Sequence, residues 1–144
     1  MYMKRLTILF ATLLFAVTIH AQRTDLTAFV GRIYNSEYKV YIVMDFQKQN
    51  VLVPDQEIFG PLPGYFGSSD DSRKWLFTNV KGTGATLAHT KITNDYGSED
   101  LTATLQLNKD GSYTFKQVAG STLKIARNRK WVKIPAELVF TRCK

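Results

Sequence analysis

Histidine, cysteine and paired carboxylates start most chemistry near neutral pH, and this chain of 144 residues carries two histidines and one cysteine. His89 lies in Ala85-Thr-Leu-Ala-His-Thr-Lys-Ile92, an alternating stretch that reads as a strand, so its expected state is exposed or hydrogen-bonded and not that of a base. No Gly-x-Ser-x-Gly elbow accompanies it. Cys143 is next to the last residue, where chains fray, so a loose thiol or an intermolecular disulfide is expected before Cys-His catalysis. His20 falls in the N-terminal segment that export is expected to remove, and the remaining imidazole and one remote thiol are too few for a zinc centre, which takes three or four such ligands. Asp95-Tyr-Gly-Ser-Glu-Asp100 gathers oxygen ligands in a turn but lacks the spacing of an EF-hand loop, so a solvated turn is expected there and no metal. Asp55 and Glu57 leave a small hydrolase acting through Asp/Glu pairs as an alternative, since sequence does not supply the carboxylate separation that glycoside chemistry requires. The expectation is a non-enzymatic protein with no cofactor and no catalytic residues.

Two stretches offer binding chemistry instead. Ile58-Phe-Gly-Pro-Leu-Pro-Gly-Tyr-Phe-Gly-Ser-Ser-Asp-Asp71 sets large apolar side chains among glycines and prolines, which suit neither helix nor central strand. From Pro54 to Ser72 the chain reads as one irregular loop, longer than most connections in compact domains. Ordering it costs on the order of 1 kcal/mol per residue, and burying Ile58, Phe59, Leu62, Tyr65 and Phe66 returns about 1.5 to 3 kcal/mol each. The sums are comparable, so Phe59, Leu62, Tyr65 and Phe66 form either an apolar plug over one end of the fold or a recognition surface. The second stretch is basic: Lys124, Arg127, Arg129, Lys130, Lys133, Arg142 and Lys144 face only Glu137 near the C-terminus. Arg127, Arg129, Lys130, Trp131 and Lys133 combine cations with an aromatic ring, a surface that attracts anions. Arg73-Lys-Trp75 echoes Arg129-Lys-Trp131, read as two strand starts with each Trp packed at a barrel end.

The elements that hold these residues are short strands. In Tyr38-Lys-Val-Tyr-Ile-Val-Met-Asp-Phe46 every second residue is apolar, the period of a half-buried strand, and Leu101 to Leu107 alternates as cleanly. Asn108-Lys-Asp-Gly111 is a turn into a partner strand from Ser112 to Val118. Leu26 to Tyr34, Val51 to Val53, Trp75 to Val80, Ala85 to Thr93, Thr122 to Ala126 and Trp131 to Thr141 complete about nine strands, with Pro135 marking a bend or edge in the last. The expected fold is all-β, a small antiparallel barrel or sandwich of about 8–9 strands in meander order.

Lys4 and Arg5 precede an apolar run from Leu6 to Ile19 that ends at His20-Ala21, the pattern of a secretory signal peptide of residues 1–21, with a single domain from 22 to 144. At about 14 residues the run is short of the ~20 that span a bilayer, so no membrane span is expected after cleavage. Subtracting Lys4 and Arg5 from 19 basic residues leaves 17 against 12 acidic ones, a mature charge of +5.

The segment Leu101-Thr-Ala-Thr-Leu-Gln-Leu-Asn-Lys-Asp-Gly-Ser-Tyr-Thr-Phe-Lys-Gln-Val118, with Ser121 to Arg142 after it, resembles the closing strands of small exported lipocalin-like (calycin-like) domains. The run ending in Ala-Gln is similar to that of small secreted proteins of Bacteroidetes. The resemblance covers about a third of the chain, and Phe29-Val-Gly31 stands where true lipocalins carry Gly-x-Trp. It implies a meander barrel and, as one alternative, a carrier of a small apolar ligand.

Together these residues point to a periplasmic or extracellular binding domain that uses the 54–72 loop and the basic C-terminal face. Its expected partners are an envelope protein, an acidic glycan or glycolipid, or a small apolar ligand. Export argues against nucleic acid. A monomer is expected, with a Cys143-linked dimer as the variant that a loose terminal thiol allows.

Overall fold

The computed structural model describes residues 25–143. The expected signal peptide, residues 1–21, and Lys144 lie outside the described residues. Ten strands follow one another: β1 Val30–Asn35, β2 Val40–Asp45, β3 Gly64–Ser68, β4 Asp71–Thr83, β5 Leu87–Asn94, β6 Asp100–Leu107, β7 Tyr113–Gly120, β8 Lys124–Arg127, β9 Lys130–Lys133 and β10 Glu137–Arg142. Eight of them close an antiparallel barrel in the order β1-β10-β7-β6-β5-β4-β3-β2, with β2 paired back to β1. Strands β8 and β9 form a separate hairpin between β7 and β10. No helix among the described residues is long and apolar enough to cross a membrane.

Closure follows from the period-two pattern. Val40, Ile42 and Met44 of β2, Leu101, Ala103 and Leu105 of β6, and Tyr113 and Phe115 of β7 are all buried in one core. Their neighbours along each strand are half-buried or exposed, apart from Ser112 before Tyr113. A barrel of eight strands is just wide enough to be filled by side chains. Here Phe29, Phe46, Phe66, Phe77, Tyr113, Phe115 and Phe140 fill it, all fully or almost fully buried. Phe66, Phe115 and Phe140 form a triangle with ring centroids 6.1 to 6.3 Å apart.

Both barrel ends are covered. At the end that carries the β1–β2, β3–β4 and β5–β6 turns lies the β8–β9 hairpin, and Leu123, Ile125 and Ile134 in and beside it are buried in the main core. At the opposite end Leu26 and Phe29 are tucked in, Phe29 stacked on Phe46 at 5.5 Å. The Tyr113 hydroxyl donates to the Ala28 carbonyl at 2.6 Å, and Arg142 donates to Tyr113 Oη and to the Val30 carbonyl. These bonds strap the N-terminal segment across the mouth.

The expected irregular loop from Pro54 to Ser72 is corrected by β3 and the start of β4. Strand β3 forms within the glycine-rich stretch because it passes very close to β2: a Cβ on Gly67 would lie 2.6 Å from the Tyr41 ring, and one on Gly64 would collide with the Val43 carbonyl. The glycines that argue against a strand by propensity are the residues that permit this pairing. Strand alternation then sends the two aromatics in opposite directions. Phe66 points into the core, while Tyr65 joins Val53 and Leu76 in a second cluster on the outside of the barrel wall. Tyr41, Val43, Val51 and Leu62 pack around that outer cluster. The connection from Phe46 to Pro63 therefore covers the outer face of β2, β3 and β4 and is not a plug in the barrel end. Val51 makes only an isolated bridge to Leu62, and the expected strand from Trp131 to Thr141 is two strands divided at Pro135.

Candidate functional site

The barrel end capped by the β8–β9 hairpin carries a groove of about 460 Å³. One wall is the start of β4, where Trp75 points inward and Arg73, two residues earlier on the same face, reaches the rim. Trp75 is 6% exposed, and its indole N–H donates to the Lys124 carbonyl at 3.0 Å, which pins the hairpin to β4. The second wall is the β5–β6 turn, which holds Tyr96 70% exposed. Within this turn Asn94 Oδ1 accepts from the Ser98 and Glu99 amides and its amide donates to Ser98 Oγ, so the turn is set by its own side chains. The third wall is β9, which contributes Trp131, 56% exposed, and Lys133.

Between the two aromatics stands Arg73. Its guanidinium carbon is 4.6 Å from the Trp131 ring centroid and 5.1 Å from that of Tyr96, within cation–π distance of both. Lys124 and Lys133 also line the groove. Its two carboxylates have protein partners: Glu99 pairs with Lys124 at 3.0 Å, and Asp95 accepts from the Lys74 amide at 3.3 Å. The result is two exposed aromatic faces beside a net positive charge. Such a surface can stack on the apolar face of a ring and hold an anionic substituent.

The basic residues of the C-terminal stretch separate into two roles. Trp131 and Lys133 line the groove, and Trp131 is exposed where sequence placed it as packing at the barrel end. Arg129 and Lys130 are exposed at the hairpin turn, outside the groove lining. Arg127 is corrected from anion ligand to internal latch. Its guanidinium donates to Ser68 Oγ at 2.6 Å and to the Tyr38 carbonyl, and Nε lies 3.6 Å from Asp70. Asp71 also accepts from the Ala126 amide. A guanidinium with these partners holds the hairpin on the barrel and is not offered to a ligand. Arg142 is committed in the same way at the opposite end.

The loop residues are likewise divided. Phe66 is in the barrel core, Tyr65 is 7% exposed, and Leu62 is half-buried in the outer cluster. Burial against Val53 and Leu76, with the Tyr41 phenol beside it, pushes the Tyr65 hydroxyl above the ordinary phenol value. Phe59 alone of the four stays half exposed, on a single 3-10 turn (Glu57–Phe59) next to Ile58, which is 92% exposed. Asp55 and Glu57 flank it in the open, and the Asp55 amide donates to Glu57 Oε1. Among the described residues no three His, Cys, Asp or Glu side chains come together as a metal site. Cys143 is exposed, and its amide donates to the Arg32 carbonyl.

Sequence reasoning missed Arg73 and Tyr96. The signal for Arg73 was present in the echo of Arg73-Lys-Trp75 and Arg129-Lys-Trp131, since the first Arg packs on the second Trp. Tyr96 sat in an acidic turn read for its carboxylates alone. Comparison with protein-family models, with curated proteins and with solved structures finds no match for this chain.

Proposed function

We propose that this protein is an exported, non-enzymatic binding domain that takes an acidic glycan, free or as a glycolipid headgroup, in the groove of the capped barrel end. The observation that carries this is the Arg73 guanidinium flanked by the exposed rings of Tyr96 and Trp131. Aromatic faces stack on the C–H faces of sugar rings, and Arg73 and Lys133 complement uronate, sulfate or phosphate groups. The groove volume falls in the ~300–1,000 Å³ range of small-ligand sites. The signal-like N-terminus supports the same reading, because anionic glycans and glycolipids are the polyanions at hand outside the cytoplasm. A lipocalin-like carrier would need interior space that seven aromatic rings occupy, and a hydrolase would need a carboxylate pair in a cleft, whereas Asp55 and Glu57 lie on an exposed turn outside the groove.

The test is calorimetric titration with an oligouronate and its neutral counterpart, with tryptophan fluorescence in parallel for the proteins that keep Trp131. Trp131 reports on the groove, whereas Trp75 is buried. Binding of the acidic sugar is expected to weaken about tenfold or more in Trp131→Ala and in Arg73→Gln and to fall with added salt. Equal binding of acidic and neutral sugars, or binding indifferent to both substitutions, sinks the proposal.

A second reading rests on Ile58 and Phe59. The apolar tip of the loop, bracketed by Pro54 and Pro61, fits an apolar pocket on an envelope protein, with the prolines lowering the ordering cost of docking. Ile58→Ser should then abolish capture of that partner without changing the melting temperature, and capture that survives the substitution excludes the tip.

A further inference from the structure

We propose that the outer wall of β4, β5 and β6 holds a second site, separate from the groove, for a tetrahedral oxyanion: phosphate or sulfate. Register puts its residues side by side. Lys81 lies opposite His89 and Asn79 opposite Lys91, and on the next strand Thr104 lies opposite His89 and Thr102 opposite Lys91. Lys81, His89, Lys91 and Asn79 are exposed, and the two threonines are half-buried. Irregularities in register flank this patch on both neighbouring strands, between Phe77 and Asn79 of β4 and between Thr102 and Ala103 of β6. Such bulges bend a strand locally, and the wall is correspondingly dished into a trough of about 280 Å³.

Charge makes the trough an anion site. It is lined by Lys81, Lys91 and His89 with no carboxylate. The ion pairs among the described residues lie elsewhere, at Lys124–Glu99 and Arg127–Asp70. Lys81 and Lys91 stand on diagonal positions of β4 and β5 and repel one another, and a bound dianion converts that repulsion into attraction. The Asn79 amide and the Thr102 and Thr104 hydroxyls add neutral donors around it. The His89 ring is steadied by a 3.1 Å hydrogen bond between Nε2 and Thr83 Oγ1. Lys116, one strand further on, lies opposite Thr104 on one side and Glu137 on the other.

The experiment is titration of the isotope-labelled protein with inorganic phosphate and with sulfate at constant ionic strength, followed by amide chemical shifts. Saturable shifts are expected at Asn79, Lys81, His89, Lys91 and Thr104. The double variant Lys81→Gln/Lys91→Gln should weaken binding about tenfold, while Lys48→Gln and the groove variant Trp131→Ala leave it unchanged. The last comparison separates this site from the groove. A sulfated or phosphorylated oligosaccharide in parallel identifies the source. Binding of the inorganic ion as tightly as the sugar marks a free-ion site, and much tighter binding of the sugar marks a glycan-borne group. Absence of saturable shifts with either probe, or undiminished shifts in the double variant, overturns the proposal.

Discussion

Replacing Phe66 by Ala and, separately, Phe59 by Ser sets apart two aromatics that stand seven positions from each other in one glycine- and proline-rich stretch. Phe66 is 1% exposed and packs against Phe115 and Phe140 at centroid distances of 6.1 and 6.2 Å. Truncating such a side chain removes its transfer energy and leaves a cavity that a closed barrel cannot collapse, at a cost of about 3–5 kcal/mol. At about 4 °C per kcal/mol for a domain of this size, Tm should fall by roughly 12–20 °C. Phe59 is 48% exposed, so only about half of a Phe burial is at stake, about 1 kcal/mol and about 4 °C. Thermal melts and urea unfolding followed by circular dichroism measure both, with an unchanged m-value certifying that the native and unfolded states are comparable. Equal losses from the two substitutions, or a loss under about 1 kcal/mol for Phe66→Ala, would refute the inward orientation of Phe66 and the register of β3 with it.

Arg127→Met removes the latch on the hairpin and strands the Tyr38 carbonyl and Ser68 Oγ, so it should destabilise the fold by about 2–4 kcal/mol while leaving acidic-sugar affinity of the folded protein intact; calorimetry on the same sample reads both. Asn128 and Arg129 occupy a two-residue turn with φ of 51° and 65°. Glycine prefers that geometry at the second position, so Arg129→Gly should raise stability by about 0.5–1 kcal/mol in denaturant titration. The folded state favours the neutral Tyr65 phenol, so its contribution is complete below about pH 10.0 and is lost as pH rises through the raised folded-state value. Melting temperatures across this alkaline range should decline less steeply in Tyr65→Phe, and parallel curves for the two proteins contradict that assignment.

Local sequence determined the inward face of the barrel wherever alternation was uninterrupted. Val40, Ile42 and Met44 of β2, Leu101, Ala103 and Leu105 of β6, and Tyr113 and Phe115 of β7 are two apart and all buried, so strand and facing are written together, whereas Val118, beside the register shift of the β6–β7 pair, is exposed. The turn at Asn108-Lys-Asp-Gly111 was legible for the same local reason: Ser112 donates to Asp110 and Asn108 reaches across to Ser112, all within the segment itself. Three things were settled only by tertiary structure. Gly64 and Gly67 read as loop until β2 is in place, because their value is the absence of a Cβ where a neighbouring strand passes. The cations of the C-terminal stretch read alike as charge, yet Arg127 is consumed by Ser68, Asp70 and Tyr38 while Lys133 is left in a groove. Arg73 and Trp131, 58 positions apart, meet because the β8–β9 hairpin folds back over the barrel end. Local propensity fixes what a residue prefers along its own strand, but which distant group satisfies or frees its side chain depends on barrel closure, and that is a property of the whole chain.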